Sequence, residues 1–337
     1  MVQIEVSARI GAMIVHAAAS RGVDPRVLQR ATGFDAASAE DPDARIPLSL
    51  EGALWDEAAR LSGDDAFGLH AAELLKPGAF DVLDYAVRTA PTLRQALERL
   101  ARYNRLEHDA AVFTLHDQGD RTRVEHTLRG GVGQSRHAAE FTLASHVIIG
   151  SQITGTRLAP SAVEFRHARP ASLTEHLRLF GVEPRFSTAV NAIEWDRMML
   201  ERPVLAADPA LSRIVERQAQ ALLAARPEPV ASHAERVRQL LTTALAQGGG
   251  EATLKSMAAR LKMSERSLQR RLTQEGVTFD ELLDRLRHEL SLRYLADPKI
   301  AISEVAYLLG YSEPSPFHRA FRRWTGATPS DVRRGVH

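Results

Sequence analysis

The sequence contains no cysteine. That absence removes disulfides, thiolate zinc sites, iron–sulfur clusters and cysteine nucleophiles together, and it fits a reducing cytoplasm. An excess of one charge is also lacking. Lys and Arg number 43 against 42 Asp and Glu, so the chain as a whole is no polybasic coat for nucleic acid. Long apolar runs are missing too. Stretches such as Val147-Ile148-Ile149 fall far short of the ~18 residues that a membrane span needs, so no membrane partner is expected. Residues Met1 to Met13 show no charged region followed by an apolar core and a cleavage site, which speaks against a secretory leader. Neither HExxH nor GxSxG occurs, and acidic pairs such as Asp64-Asp65 are chain neighbours that do not face one another on an element. No catalytic residue, cofactor or metal site is therefore expected. His137 and Glu140 share a helix face, as scattered polar residues often do.

What is present suits two folded units. At about 150 residues per domain, 337 residues imply two domains, and 44% hydrophobic with 25% charged residues can build real cores. Charge is uneven between the ends. Residues 251–337 hold 15 Lys and Arg against 11 Asp and Glu, a net of +4, whereas residues 1–250 carry a net of −3. Arg226-Pro227-Glu228-Pro229 reads as a joint, and Gln247-Gly248-Gly249-Gly250 ends the helical run His233 to Ala246. The domain boundary is placed at 226/227.

Residues 1–226 read as an α+β domain, mostly helical with a small antiparallel sheet. Ser7–Ser20 and Leu50–Leu61 have helical spacing, with Ser49 and Thr92 as candidate N-caps. From Thr92 to Leu106 one face carries Leu93, Ala96, Leu97, Leu100 and Tyr103. Residues 111–115 and 121–128 flank a polar turn and read as a β-hairpin. Ala162–His167 and Ala192–Trp195 supply two further strands, and Glu140–Ile153 reads as a buried helix between them. Arg129-Gly130-Gly131-Val132-Gly133 follows the hairpin and reads as a loop, not a phosphate cradle.

Residues 227–337 read as an all-α domain that says the same thing twice. Met257 to Leu272 repeats as Val305 to Phe321, at an offset of 48 up to Ser264/Ser312 and 49 beyond one inserted residue near Pro314. Each copy has a short helix with a small alanine, Ala258 or Ala306, then a turn, then Ser-Glu opening a second helix. This is the grammar of a helix-turn-helix, about 253–276 and about 302–326. In the first unit Leu268 and Leu272 point inward, while Ser264, Glu265, Arg266, Ser267, Gln269 and Arg270 are left at the start and outer face. In the second, Phe317 and Phe321 point inward, while Ser312, Ser315, Pro316, His318, Arg319 and Arg322 are left outward or flanking. Arg can pair bidentately with guanine, Gln with adenine, and serine hydroxyls suit phosphates. These twelve are the candidate DNA-contact residues. Between the units, about 279–296 forms a helix of roughly 27 Å, close to the ~34 Å between successive major-groove faces.

Residues 228–337 resemble the DNA-binding domain of AraC/XylS regulators. The resemblance rests on Ile302-Ser303-Glu304-Val305-Ala306, Leu309-Gly310-Tyr311-Ser312-Glu313-Pro314-Ser315, Phe317 through Gly326, and Thr328-Pro329-Ser330. It implies that the helix about Glu265–Gln274 reads bases most strongly. Pro316 departs from the commoner residue types and weakens base reading by the second helix. Residues 1–226 resemble the mostly helical sensor region of a subset without the sugar-binding barrel, through Arg45-Ile46-Pro47, Trp55, Gly68-Leu69, Pro91-Thr92-Leu93, Ala96-Leu97 and Tyr103. The resemblance implies a cytoplasmic activator of transcription that binds double-stranded promoter DNA, contacts RNA polymerase and responds to a small organic effector. The expected effector is an amphipathic carboxylate or amino-acid-like molecule, held by an arginine in an apolar pocket. Two alternatives stand beside it: a first domain that only dimerises or contacts protein partners, and one that is a fused enzyme.

Overall fold

The computed structural model describes residues 4–129, 133–226, 233–246 and 252–334. The joints expected at 227–229 and 248–250, and Gly130 to Val132, lie outside the described residues. The first part runs β1 (Glu5–Ser7), α1 (Ala8–Ser20), α2 (Pro25–Thr32), β2 (Arg45–Pro47), α3 (Leu48–Ser62), α4 (Phe67–Glu73), α5 (Asp81–Arg88), α6 (Leu93–Tyr103), β3 (Ala111–Gln118), β4 (Arg121–Leu128), α7 (Arg136–Thr154), β5 (Ala162–Glu164), α8 (Thr174–Phe180), β6 (Asn191–Asp196), α9 (Arg197–Leu200) and α10 (Pro209–Ala225). The second part is helical: α11 (His233–Ala246), α12 (Leu254–Arg260), α13 (Glu265–Gln274), α14 (Phe279–Ala296), α15 (Ile302–Leu308), α16 (Pro314–Thr325) and α17 (Pro329–Arg333).

The described strands make two antiparallel sheets, β1-β2 and β3-β4-β6-β5. The expected hairpin is β3-β4, closed at Gly119 in the left-handed region. Alternation then places Val124 and His126 of β4 toward the helices and Arg123 on the other side. There Arg123 donates to Glu164 of β5 (2.6 Å), Glu194 of β6 (3.0 Å) and Glu125 (3.0 Å), so one guanidinium ties three strands. Helix α7 covers the inner face with Ala138, Leu143, Ala144 and Val147. It crosses α4 so closely that a Cβ on Gly68 would sit 2.1 Å from the His137 carbonyl oxygen, which only glycine permits. Thr92 caps α6 as expected, accepting from Gln95 N–H at 3.3 Å.

Ser49 is not a cap. Helix α3 starts earlier, with Pro47 at its N-cap. The Leu48 N–H bonds the Ile4 carbonyl at 3.1 Å beside the β1-β2 pair, so the helix begins at Leu48 and Ser49 lies inside its first turn. Helices α2, α4, α5, α8, α9 and α10 are additional to the sequence reading. Ala219 of α10 packs with Leu83, Ala86, Tyr103 and Leu106 in a small satellite core. In the second part, Val237, Leu241 and Leu245 of α11 complete a core around Leu268, Leu272, Leu282 and Leu286, while Phe317 and Phe321 centre another with Val305, Leu309 and Leu295.

Candidate functional site

The repeated segments fold as two similar heads. In the first, α12 ends in a turn where Met263 N–H bonds the Ala258 carbonyl (2.9 Å) and Lys262 N–H bonds the Ala259 carbonyl (3.0 Å). In the second, Tyr311 N–H bonds the Ala306 carbonyl (3.0 Å) and Gly310 N–H bonds the Tyr307 carbonyl (2.9 Å). This paired closure requires a left-handed residue just after the helix. Gly310 supplies it at φ +76°, but the first head uses Lys262 at φ +56°. A side chain is strained there, and glycine is not. Lys262→Gly should therefore raise stability by about 0.5–1 kcal/mol, after allowing for the extra unfolded-state freedom of glycine. A melting temperature at or below that of the parent protein would contradict this.

The second helix of each head carries the candidate DNA contacts. Leu268, Leu272, Phe317 and Phe321 are fully buried. Ser264, Glu265, Arg266, Gln269 and Arg270 are exposed, and Ser267 is half-buried. Ser312, Ser315, His318, Arg319 and Arg322 are exposed, and Pro316 is half-buried. The Ser264 hydroxyl caps α13, accepting from Ser267 N–H at 3.1 Å. Ser312 does not play that part. The cap of α16 is Glu313, without a side-chain hydrogen bond, and Pro314 occupies the first turn. Proline has no N–H to satisfy and presets the helical φ, so the inserted residue makes a capping hydroxyl unnecessary.

Helix α14 joins the heads rigidly. Its Thr278 and Glu281 form a reciprocal cap. Leu282 and Leu286 enter the first core, Leu295 enters the second, and Leu290 touches both. Arg287 clamps the turn of the second head, donating to the Leu309 carbonyl (2.9 Å) and lying 4.4 Å from the Tyr311 ring centre. Arg323 of α16 pairs with Asp284. At ~1.5 Å per residue the helix spans roughly 27 Å, which suits two heads on one face of a duplex.

A second feature lies in the first part. A cavity of about 110 Å³ opens among α3, α5, α6, β3, β4 and α7. Its walls are mostly apolar, with Trp55, Leu97, Phe113, Phe141 and Ile149 prominent. Its polar residues come from distant points of the chain, among them Glu51, Asp84, Glu107, His108, His126 and His146. No sequence motif marks them, because the fold alone brings them together. Burial pushes His126 down to about 3 and His146 to about 4, so both are neutral at neutral pH. The expected arginine is not there. Among the described residues no arginine or lysine lines the cavity. Arg88 is engaged with Asp84 and Gln152, and Arg99 with the Ala86 carbonyl, Ser212 and Glu216.

His137 and Glu140 do meet, at 3.7 Å. His176 comes within 3.0 Å and His167 within 3.7 Å of the same buried carboxylate. Among the described residues, no group of three or more such side chains has the geometry to hold a metal ion. No helix among them is long and apolar enough to cross a membrane.

The cavity wall also faces the second part. Gln134 lines the cavity and accepts from Asn191 Nδ2 at 3.1 Å; Asn191 Oδ1 accepts from Arg166 N–H at 2.9 Å. Burial holds Arg166 below the usual arginine value, with Glu289 opposing the shift and Arg285 and Arg238 adding to it. A Cβ on Gly133, next to Gln134, would lie 3.2 Å from the Arg285 guanidinium of α14.

Comparison with known proteins accords with this arrangement. Residues 22–204 match the family model described as the arabinose-binding domain of AraC transcription regulator, N-terminal, and residues 257–335 match a helix-turn-helix domain. The chain is 32% identical over 308 residues to the ornithine utilization regulator of Pseudomonas aeruginosa, covering 89% of each chain. It is 29% identical over 320 residues to the HTH-type transcriptional regulator VirS of Mycobacterium tuberculosis, covering 93% of this chain and 91% of that one. The crystal structure of the transcriptional regulator CdpR from Pseudomonas aeruginosa aligns with 84% of this chain and 90% of its own, at 24% identity and a TM-score of 0.40. These relatives are DNA-binding transcription regulators, not enzymes. With a matching domain in front, a paired reading head behind and full-length similarity to such regulators, the chain belongs to the AraC family of transcription regulators.

Proposed function

We propose that this regulator reads promoter DNA with both heads and activates transcription, through RNA polymerase, under control of a small organic effector held in the cavity. The observation that carries the DNA reading is the repeated phase of the two heads. Their inward side chains are fully buried and their Arg, Gln, Ser and His side chains are left at least partly exposed on the second helix of each head. The domain boundary at 226/227 belongs to the same proposal. The effector reading rests on the cavity and on its wall at Gln134, two hydrogen bonds from Arg166 and beside the Gly133–Arg285 approach. A ligand that favours one arrangement of that wall shifts how α14 is held, and hence DNA affinity. The sugar in the matched family's description does not suit walls this apolar.

Full-length protein should recover a few sharp genomic sites at fixed near-physiological salt, each with two half-sites about one helical turn apart. Sequence-blind recovery would reject the reading. Within a recovered site, Arg266→Ala or Gln269→Ala should each weaken binding by about 1–3 kcal/mol and relax base preference locally, with melting unchanged. An unaltered footprint in both would remove α13 from the groove. A second reading, self-association through the first domain, is favoured by one observation. Leu211, Ile214 and Leu222 on α10 are exposed at apolar spacing. Sedimentation of the full chain decides it.

A further inference from the structure

We propose that the cavity takes a small amine, with an alkyl or aryl body among the aromatic walls and a protonated nitrogen seated between Glu51 and Glu107. The proposal rests on the effector reading and narrows it to a ligand class.

The lining holds three carboxyl side chains, Glu51, Asp84 and Glu107, and no arginine or lysine. Asp84 is answered at Oδ2 alone, by Arg88 at 2.8 Å and by Gly78 N–H. The other two are not fully answered either. Glu51 accepts from Trp55 Nε1 at 2.9 Å, but its second oxygen is 3.6 Å from His108 Nε2, too far for a hydrogen bond. Glu107 is 7% exposed and its Oε2 has no hydrogen-bond partner. Facing Glu107 are Arg45, Arg9 and Asp81, yet burial still pushes its carboxyl above the ordinary value.

Two further polar atoms of the cavity are acceptors without a partner, whereas His108 accepts two backbone N–H bonds at Nδ1 and so presents Nε2–H as a donor 3.6 Å from Glu51. His146 Nδ1 lies 2.8 Å from the Thr142 carbonyl, so it carries the proton and leaves Nε2 as an acceptor; that Nε2 is buried and unpartnered. Asp84 Oδ1 is likewise buried and unpartnered. Buried acceptors without donors are costly, and Glu107 Oε2, Asp84 Oδ1 and His146 Nε2 each call for one. An ammonium group brings three donors and no acceptor. A carboxylate would instead add negative charge beside buried carboxylates, where water screens poorly. Size sets the body. The cavity of about 110 Å³ is of the order of the ~150 Å³ engineered apolar cavity that admits benzene, so one ring or a short chain fits.

The test uses full-length protein and two matched series: 2-phenylethylamine, 2-phenylethanol and phenylacetate; then hexylamine, hexanol and hexanoate. The amines should raise the melting temperature by about 2–4 °C at roughly five times their Kd, and the alcohols and acids much less. Glu107→Gln and Glu51→Gln should each weaken amine binding at least about tenfold by calorimetry. An alcohol or acid that binds as tightly as its amine overturns the amine assignment and leaves the effector reading standing. Unchanged amine affinity in both variants does the same. If no member of either series binds, the effector reading fails together with the amine assignment.

Discussion

Phe317→Ala is expected to remove about 3–5 kcal/mol from the second reading head and to abolish its hold on DNA. The ring is fully buried at the centre of a small core, edge-on to Phe321 at 5.7 Å and beside Tyr311 at 6.0 Å. Val305 and Leu309 are held by a helix of seven residues, and the turn behind them is clamped by Arg287. A loss of that size is a large part of the 5–15 kcal/mol that typically holds a domain. Hydrogen exchange over α15–α17 should show the head open while α11–α13 stay protected, and footprinting should lose one half-site. Leu268→Ala should cost about 2–5 kcal/mol in the first head for the same reason, though α11 braces that core. Wild-type melting and exchange in both variants would show that the inward and outward faces have been assigned to the wrong phase.

Arg123→Ala should destabilise the first part by about 3 kcal/mol, the lower end for breaking a buried ion network by removing one partner. Glu164 and Glu194, diagonal neighbours across β5 and β6, would be left without the guanidinium they share. The effect is held to the lower end because Arg185 still reaches Glu164 and Arg121 lies 3.8 Å from Glu194. Arg123→Lys keeps the charge but cannot make three separate bonds from a planar fork, and it should recover only part of the loss. Replacing Arg123, Glu164 and Glu194 together by apolar residues of similar volume should cost less than Arg123→Ala alone, since no charge is then stranded. Denaturant unfolding of the three variants measures the order, and an Arg123→Ala midpoint equal to wild type would mean that the sheet does not depend on this network.

The helix-turn-helix pair was legible because local rules coincide there. Inward leucines and phenylalanines recur at helical spacing, Ser264 sits where a cap is needed, and Gly310 marks a left-handed turn. Each of these signals spans a few residues and does not require knowledge of distant chain. The departures arise where a distant segment changes a local choice. Ser49 is no cap because pairing with the distant segment at Ile4 starts the helix at Leu48 and draws Ser49 into its first turn. Lys262 occupies a glycine's conformation because the repeated packing of the head demands that turn. Helix α10 was missed because its outer face carries Leu211, Ile214 and Leu222, which blur the alternation between buried and exposed positions.

The sequence by itself determined the family, the two classes of domain, the linking helix at 279–296 and the residues left facing outward on the heads. Periodicity and capping are properties of neighbouring residues, so they can be read in a line. Only the tertiary structure decided the cavity and its polarity. Glu51, Asp84, Glu107 and His146 are brought together from α3, α5, the turn after α6 and α7. Which of their atoms keep a partner depends on packing between those elements, and this is why an arginine expected in the pocket gives way to unpaired acceptors.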